Sequence, residues 1–366
     1  MVSPMVQTAF DSFWANKPGP DGVGIQDRFA LAWQHVARRY ADEPAIVGYD
    51  VLNEPIPGTE MLRVQAKMIP RMAEIMVPDD PAGGLFELGV LLKDPNRRGE
   101  VFDRMADLDV YRSYIAAAEP IFQRFERDKL APMYRRVARA IRQVDRRHIL
   151  FVAPCVSSNQ GVGSALPPVL GPDGKPDPLV AISPHAYDLV TDVRGAGPVN
   201  AQRTEMIYQR HLSTARRLNA PMLIGEWGAL NVEPKHLEAA RINVRQIEAT
   251  LASNTYWYFS KHLEKRPFFK MLQRPVPSAV AGTILRYRLD PETGVFECVW
   301  KEDPAVKEPS RIYVPANWYP DGFEVTLHPR GRGHGFEPIA SGDRNGRLTV
   351  APTGRPVERR LVIRPK

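Results

Sequence analysis

The sequence predicts an α/β protein built on a parallel sheet, followed by a small all-β domain. Three observations predict it. From Gly24 to Phe259, short apolar runs alternate with stretches of helical periodicity, the pattern of buried parallel strands covered by helices. Glu54, His185, Tyr187 and Glu226 stand at the ends of such runs, where parallel α/β folds place their active sites. After Pro275 the pattern changes to short alternating runs separated by turn residues, as in a β-sandwich.

The elements follow in order. Phe29, Trp33, Val36, Ala37 and Tyr40 recur at helical spacing, so a helix is expected from Gly24. Ala45 to Leu52 is a buried strand ending at Asn53-Glu54-Pro55. A long insertion runs from Pro57 to about Asp107. Helical periodicity returns from Glu119 to Val144, with a break expected at Pro132. His148 to Ala153 and Leu179 to Ser183 are the next strands, the second leading into Pro184-His185-Ala186-Tyr187. A helix is expected over Ala201 to Leu218, a strand over Met222 to Gly225, a helix over Glu233 to Leu251 and a strand over Thr255 to Phe259. The all-β part offers runs at 284–289, 295–300, 311–314, 323–327 and 361–363. Two domains are expected: 1–274, carrying the α/β part, and 275–366, the β-sandwich.

Composition narrows the function. Of 366 residues, 43% are hydrophobic and 25% charged, which suits a packed globular protein and argues against disorder. No run of about 18 apolar residues predicts a membrane span. Two cysteines, Cys155 and Cys298, exclude a disulfide scaffold and a multi-cysteine metal cluster. The formal charge is +7, but no run of five or more like charges occurs. A mixed, solvated surface is expected, and no nucleic-acid partner. Met1 to Asp11 carries no basic stretch followed by an apolar core, so no leader is expected within it.

Glu54 and Glu226 carry the chemical argument. A charge after a buried strand is costly unless it sits at a mouth or is paired. An isolated carboxylate in such a place is most often an ion-pair partner. Two of them at the ends of strands of one sheet can face each other across a cleft. Carboxyl groups about 5–5.5 Å apart are what retaining glycoside hydrolysis uses, one as nucleophile and the other as acid and then base. The neighbours suit that chemistry. Asn53 supplies an amide for a sugar hydroxyl. His185 and Tyr187 alternate by two, so both can leave one face of a strand. Trp257 offers a flat surface for a pyranose ring.

Asn53-Glu54-Pro55, His185-Ala186-Tyr187, Gly225-Glu226-Trp227-Gly228 and Trp257, in this order, resemble glycoside hydrolase family 5, the cellulase-like retaining enzymes. Gly48-Tyr49-Asp50-Val51-Leu52-Asn53-Glu54-Pro55, Phe13-Trp14-Ala15-Asn16, Ser183-Pro184-His185-Ala186-Tyr187-Asp188 and Arg274-Pro275-Val276-Pro277 are similar to the endoglycoceramidase branch. The resemblance implies a TIM-barrel, (β/α)8 fold with a C-terminal β-sandwich. It implies Glu54 as acid/base after strand four and Glu226 as nucleophile after strand seven. Tyr187 would hold the nucleophile, His185 would sit by the acid/base, and Asn53 and Trp257 would bind sugar. No metal or organic cofactor is implied.

Counting back from Asn53 finds one strand where the family has four. Strands four to eight are expected, one to three are not, and residues 1–44 are expected to hold only a loop and one helix. The barrel is therefore expected to be incomplete, through a truncated gene product, a misplaced first Met or a second chain.

The implied substrate is a glycolipid or other β-glycoside, with membrane contact only through a lipid substrate. In the insertion, Met61, Leu62, Val64, Met68, Ile69, Met72, Ile75 and Met76 either line an apolar slot for the aglycone or simply pack a helix on the barrel. Phe13, Trp14 and Phe86 would add aromatic lining. A non-catalytic carbohydrate- or glycolipid-binding remnant and a steryl glucoside hydrolase are the alternatives. Secretion or a cell-surface location is expected if a leader precedes this N-terminus. The oligomeric state is left open.

Overall fold

The computed structural model describes residues 3–94, 97–191, 197–230, 235–330 and 333–366. The chain divides into two compact units, Met1–Ala229 with Ser253–Trp257, and Leu230–Ala252 with Tyr258–Lys366.

The first unit begins with two helices, α1 (Pro4–Trp14) and α2 (Ile25–Tyr40). Only the second was expected. Pro4 opens α1 in the first turn, where its missing N–H costs nothing. Strands β1 (Gly48–Asp50), β2 (Ile149–Val152) and β3 (Val180–Ile182) pair in parallel, as do β4 (His185–Ala186), β5 (Leu223–Gly228) and β6 (Ser253–Trp257). Ser183-Pro184 separates β3 from β4 within one extended segment, and a parallel bridge from Ile182 to Met222 joins the two sheets. The result is five parallel strands in sequence order, those expected as four to eight. Among the described residues, β1 and β6 have no strand beyond them. Leu150, Val152, Ala181, Ile182 and Ile224 are buried, as expected of strands covered on both faces.

Between β1 and β2 lies the expected insertion, which is helical, with α3 (Glu60–Met76), α4 (Pro81–Lys93) and α5 (Arg98–Asp103), followed by α6 (Leu108–Ala116). The expected break at Pro132 does not occur. Instead α7 (Glu119–Phe125) passes through a π-helical turn at Glu126–Leu130 into α8 (Ala131–Arg142), with Pro132 in the first turn of α8. The proline is tolerated there because a π-turn already disturbs the regular i→i−4 ladder. Helix α9 (Ala201–Leu218) joins β4 to β5. No helix among the described residues is long and apolar enough to cross a membrane.

Among its described residues the second unit holds α10 (Lys235–Thr250), α11 (Phe269–Leu272) and eight strands. The expected start of α10 at Glu233 lies outside the described residues. Strands β7 (Val276–Ala279), β10 (Ser310–Val314), β12 (His334–Pro338) and β13 (Gly346–Val350) form one antiparallel sheet; β8 (Gly282–Leu289), β9 (Phe296–Glu302), β11 (Phe323–His328) and β14 (Glu358–Pro365) form the other. Three of these, β7, β12 and β13, have no counterpart among the sequence runs. β12 is exposed throughout and β7 half exposed, so neither shows an apolar alternation. Phe296, Cys298, Trp300, Ile312, Leu348, Leu361 and Ile363 make the core. Cys155 and Cys298 are both free and buried.

Within that core Arg359 is fully buried, with Nη1 donating to Glu302 Oε2 at 3.0 Å. Glu302 also accepts from the Thr353 hydroxyl and the Gly354 N–H, so its charge is well satisfied. Removing one partner of a buried pair strands the other charge. Arg359→Met is expected to lower stability by about 3–5 kcal/mol in urea unfolding.

Candidate active site

The segment Val51–Ile56, which carries Glu54, is pinned from several sides. Val51 N–H donates to Phe151 O across the β1–β2 ladder (3.1 Å), and Val156 N–H donates to Pro55 O (3.0 Å). Two tryptophan indoles hold the carbonyls on either side: Trp33 Nε1 on Val51 (3.1 Å) and Trp14 Nε1 on Ile56 (2.9 Å). Between these pins Glu54 adopts φ +45°, a left-handed backbone that costs a non-glycine residue about 1–3 kcal/mol and persists only where its surroundings over-determine it.

His185 and Tyr187 come from β4 and its end, and Glu226 from β5. His185 is directly opposite Glu226 in the parallel ladder, so strand pairing itself sets their separation. Gly225 and Gly228 make room. A Cβ at Gly225 would sit 3.2 Å from the His185 ring; one at Gly228, where φ is +117°, would sit 2.2 Å from the ring of Tyr256.

Four side chains then converge. His185 Nδ1 lies 2.9 Å from Glu54 Oε1 and 3.3 Å from Glu226 Oε2. With carboxylate oxygens on two sides, Nδ1 carries the proton and donates. Tyr187 Oη donates to Glu226 Oε2 at 2.9 Å. The facing ligand atoms of Glu54, His185 and Glu226 all lie within 4.8 Å of one another. That spacing also has the reach of a single cation, and the donor set of two carboxylates and one imidazole is a chemically possible one. His185 is 2% exposed, Glu226 18% and Glu54 30%, so the carboxylates open onto a cleft while the imidazole is sealed.

The cleft is about 680 Å³ and is lined by Asn53, Glu54, Tyr187, Glu226 and Trp257, with Met61, Val64 and Met68 of α3 and Ile115 and Phe122 on its apolar side. All six site residues expected from the sequence thus lie at one place, five lining the cleft and His185 beneath it. The insertion divides. Met61, Val64 and Met68 face the cleft, Met72 and Met76 are buried, and Leu62 and Ile69 are exposed. The expected aromatic lining does not form. Phe13 and Trp14 are absent from the cleft wall, and Phe86 is 76% exposed. Trp14 is spent on the Ile56 carbonyl and packs edge-on against Phe125.

Sequence reasoning missed several residues around the site. Asn159, after β2, donates Nδ2–H to Glu54 Oε1 at 2.7 Å. Asp50 opens toward solvent, but loss of water around its carboxyl, reinforced by the charge of Glu226, raises its pKa, while His185 acts the other way. Asp188 and Arg203 form a buried bidentate pair, with both bonds 2.7 Å, and Arg203 also donates to Met105 O. This ties the residue after Tyr187 to α9 and to the insertion. None of these had a distinctive sequence signal of its own, although Asp50 and Asp188 both fall within quoted motifs.

His211 on α9 is also hidden from sequence reasoning. Its Nε2–H donates to the His185 carbonyl at 3.0 Å, and burial holds its pKa down at about 4 from 6.5. It is therefore neutral in the folded protein. As pH falls from about 6.5 to about 4 the unfolded chain gains a proton that the folded chain refuses, so stability is lost across that window, by up to about 3 kcal/mol. Urea titrations at pH 7 and pH 4.5 are expected to show a smaller pH-dependent loss in His211→Gln than in the parent.

Five parallel strands with a carboxylate pair at their C-terminal ends define a barrel-type α/β scaffold, and comparison with known proteins agrees. Residues 101–262 match the family profile described as cellulase (glycosyl hydrolase family 5), and residues 274–348 match the glycoside hydrolase family 5 C-terminal domain. The chain belongs to glycoside hydrolase family 5. Glu226 falls inside the first matched segment and Glu54 outside it. A curated relative, endoglycoceramidase I of Rhodococcus hoagii (strain 103S), is 24% identical over 340 residues, which is 89% of this chain. The chain spans 55% of that protein's length. Among solved structures, endo-glycoceramidase II from Rhodococcus sp. in its ganglioside GM3 complex superposes with TM-score 0.68 at 24% identity, covering 100% of this chain and 68% of the other. Sterylglucosidase 1 of Cryptococcus neoformans superposes with TM-score 0.59 at 15% identity, covering 98% of this chain and 71% of the other. The fold is that of the (β/α)8 TIM-barrel type with a C-terminal β-sandwich.

Proposed function

We propose that this chain is a retaining β-glycoside hydrolase that acts on glycolipids in the manner of an endoglycosylceramidase. The observation that carries the reading is the spacing of Glu54 and Glu226, whose facing oxygens lie within 4.8 Å. Retaining enzymes hold their carboxyl groups about 5–5.5 Å apart, whereas inverting enzymes need about 6.5–9.5 Å to admit a water.

In this reading Glu226 attacks the anomeric carbon while Glu54 gives its proton to the departing oxygen. A covalent glycosyl-enzyme results. Glu54 then takes a proton from water as the water displaces Glu226. Tyr187 orients the nucleophile through its hydrogen bond, which a rotating carboxylate would lose, and His185 donates to the acid/base Glu54 with Glu226 3.3 Å away. Asn53 reaches a sugar hydroxyl and Trp257, half exposed at the cleft edge, supplies the stacking face. No step uses a cation.

The aglycone side supports a lipid. Met61, Val64 and Met68 occupy successive turns of one face of α3 and meet Ile115 and Phe122 across the cleft beside Glu54, and unbranched methionines adapt to irregular apolar chains. The same wall favours a second reading, a steryl glucoside, whose rigid apolar aglycone would use it equally. Any membrane contact would come through the lipid substrate.

Hydrolysis of glucosylceramide, a steryl glucoside and a fluorogenic aryl β-glucoside tests the reading. Glu226→Gln and Glu54→Gln are each expected to lower kcat/KM by roughly 10³-fold or more on the lipid substrates. Proton NMR of the fresh product should record the β-anomer first; the α-anomer first would exclude retention. Val64→Asp is expected to raise KM for the lipid substrates while sparing the aryl glucoside, and activity should survive EDTA.

A further inference from the structure

We propose that Asn159 is the positioning residue of the acid/base: its amide occupies one oxygen of Glu54, so that the proton to be transferred rides on the other. The proposal rests on the hydrolase reading of the cleft and deepens it.

Glu54 Oε1 receives two donors, Asn159 Nδ2 at 2.7 Å and His185 Nδ1 at 2.9 Å. An oxygen that accepts two N–H groups cannot also hold an acid proton without pointing it at a donor. Oε2 is left to carry the proton and to meet the glycosidic oxygen. In the first step Oε2–H passes to that oxygen as its bond to the anomeric carbon breaks and Glu226 forms the new one. Glu54 is left as an anion whose Oε1 keeps both donors. In the second step Oε2 takes a proton from water as the water oxygen bonds to the anomeric carbon and the Glu226 ester breaks.

Asn159 is placed for this by everything around it. It is 7% exposed, on the short 3-10 turn Val156–Gln160 that follows β2. Its carbonyl accepts the Tyr187 N–H at 3.0 Å, so one residue holds Glu54 through its side chain and the strand of the Glu226 partner through its backbone. The next carbonyl, of Gln160, accepts from Tyr111 Oη at 2.6 Å. The segment is bracketed by the buried carboxylate of Glu126, which accepts from Cys155 N (2.9 Å), Ser164 Oγ and Ala165 N (2.5 Å). Glu126 itself sits at the π-turn between α7 and α8. Positioning therefore runs from a helix irregularity to a turn, and from the turn to the acid.

Asn159→Leu and Asn159→Asp in the full chain test it. A dinitrophenyl β-glucoside loses its aglycone without a proton, whereas an alkyl β-glucoside and glucosylceramide need one. Asn159→Leu is expected to lower kcat on the latter two by roughly 10²-fold, with little change in KM, and to spare release of dinitrophenolate. Asn159→Asp sets a second carboxylate against Oε1 and is expected to move the alkaline limb of the kcat profile upward by about one pH unit or more. Equal losses on all three substrates, or an unmoved limb in Asn159→Asp, would overturn the proposal. A readout free of turnover is the 13C-carboxyl signal of Glu54, assigned through Glu54→Gln. Its titration midpoint is expected to rise in Asn159→Leu, and an unchanged midpoint would also overturn the proposal. A parent protein that hydrolyses none of these substrates, yet whose Glu54 midpoint responds to Asn159→Leu, would sink the hydrolase reading and support the assigned hydrogen bond.

Discussion

Two carboxyl groups brought within 4.8 Å repel each other whenever both are ionised, and the donors near the cleft are arranged around that constraint. At an effective protein dielectric of about 20, like charges at such a distance cost about 3–4 kcal/mol. One imidazole N–H placed between them, a phenol on one side and an amide on the other, recovers that cost through directed hydrogen bonds. These donors are held in turn by buried groups with no contact to the cleft. The His185 backbone is held by His211, and the Asn159 turn by Glu126. The backbone of Glu54 sits in a region that an unconstrained residue leaves, and the two indole clamps are what keep it there.

The parts of this arrangement that sequence reasoning reached share one property: they follow a strand. Apolar runs ending in Asn53-Glu54, His185-Ala186-Tyr187 and Glu226 are local signals, readable because a strand's pleat and a sheet's order place the residue after it. Asn159, His211 and Glu126 lack such a signal. Each works through a contact with a residue at least 26 positions away, and an Asn in a polar turn or a His in an amphipathic helix looks ordinary in sequence. Helix α1 buries only Gln7 and Trp14, so it carries little apolar periodicity for a sequence reading to find. Strands β7 and β12 lack an apolar alternation, because β12 is exposed throughout and β7 is half exposed with none of its residues buried. Pro132 signals a helix break, but the π-turn just before it leaves the chain helical on both sides.

The insertion combines two jobs in one helix. Along α3, the face with Met61, Val64 and Met68 meets the cleft, and Ala73, further along, receives α4 so closely that a Cβ at Gly84 would sit 2.2 Å from the Ala73 carbonyl oxygen. Small residues at that crossing let the two helices approach, and the larger side chains are kept for the cleft. Arg203 links this region to the end of β4 by bonding both Asp188 and Met105 O, so the apolar wall and the residue beside Tyr187 are braced against a common cation.

The ladder that sets His185 opposite Glu226 has a wider meaning. Because spacing between neighbouring strands is dictated by backbone hydrogen bonding, loop exchange or insertion cannot readily change the separation of His185 and Glu226. Variation is then channelled into the helical excursion after β1, which can be lengthened or recoloured without disturbing that gauge. Under the proposed hydrolase reading, changes to this scaffold would alter what is released rather than how the bond is cut.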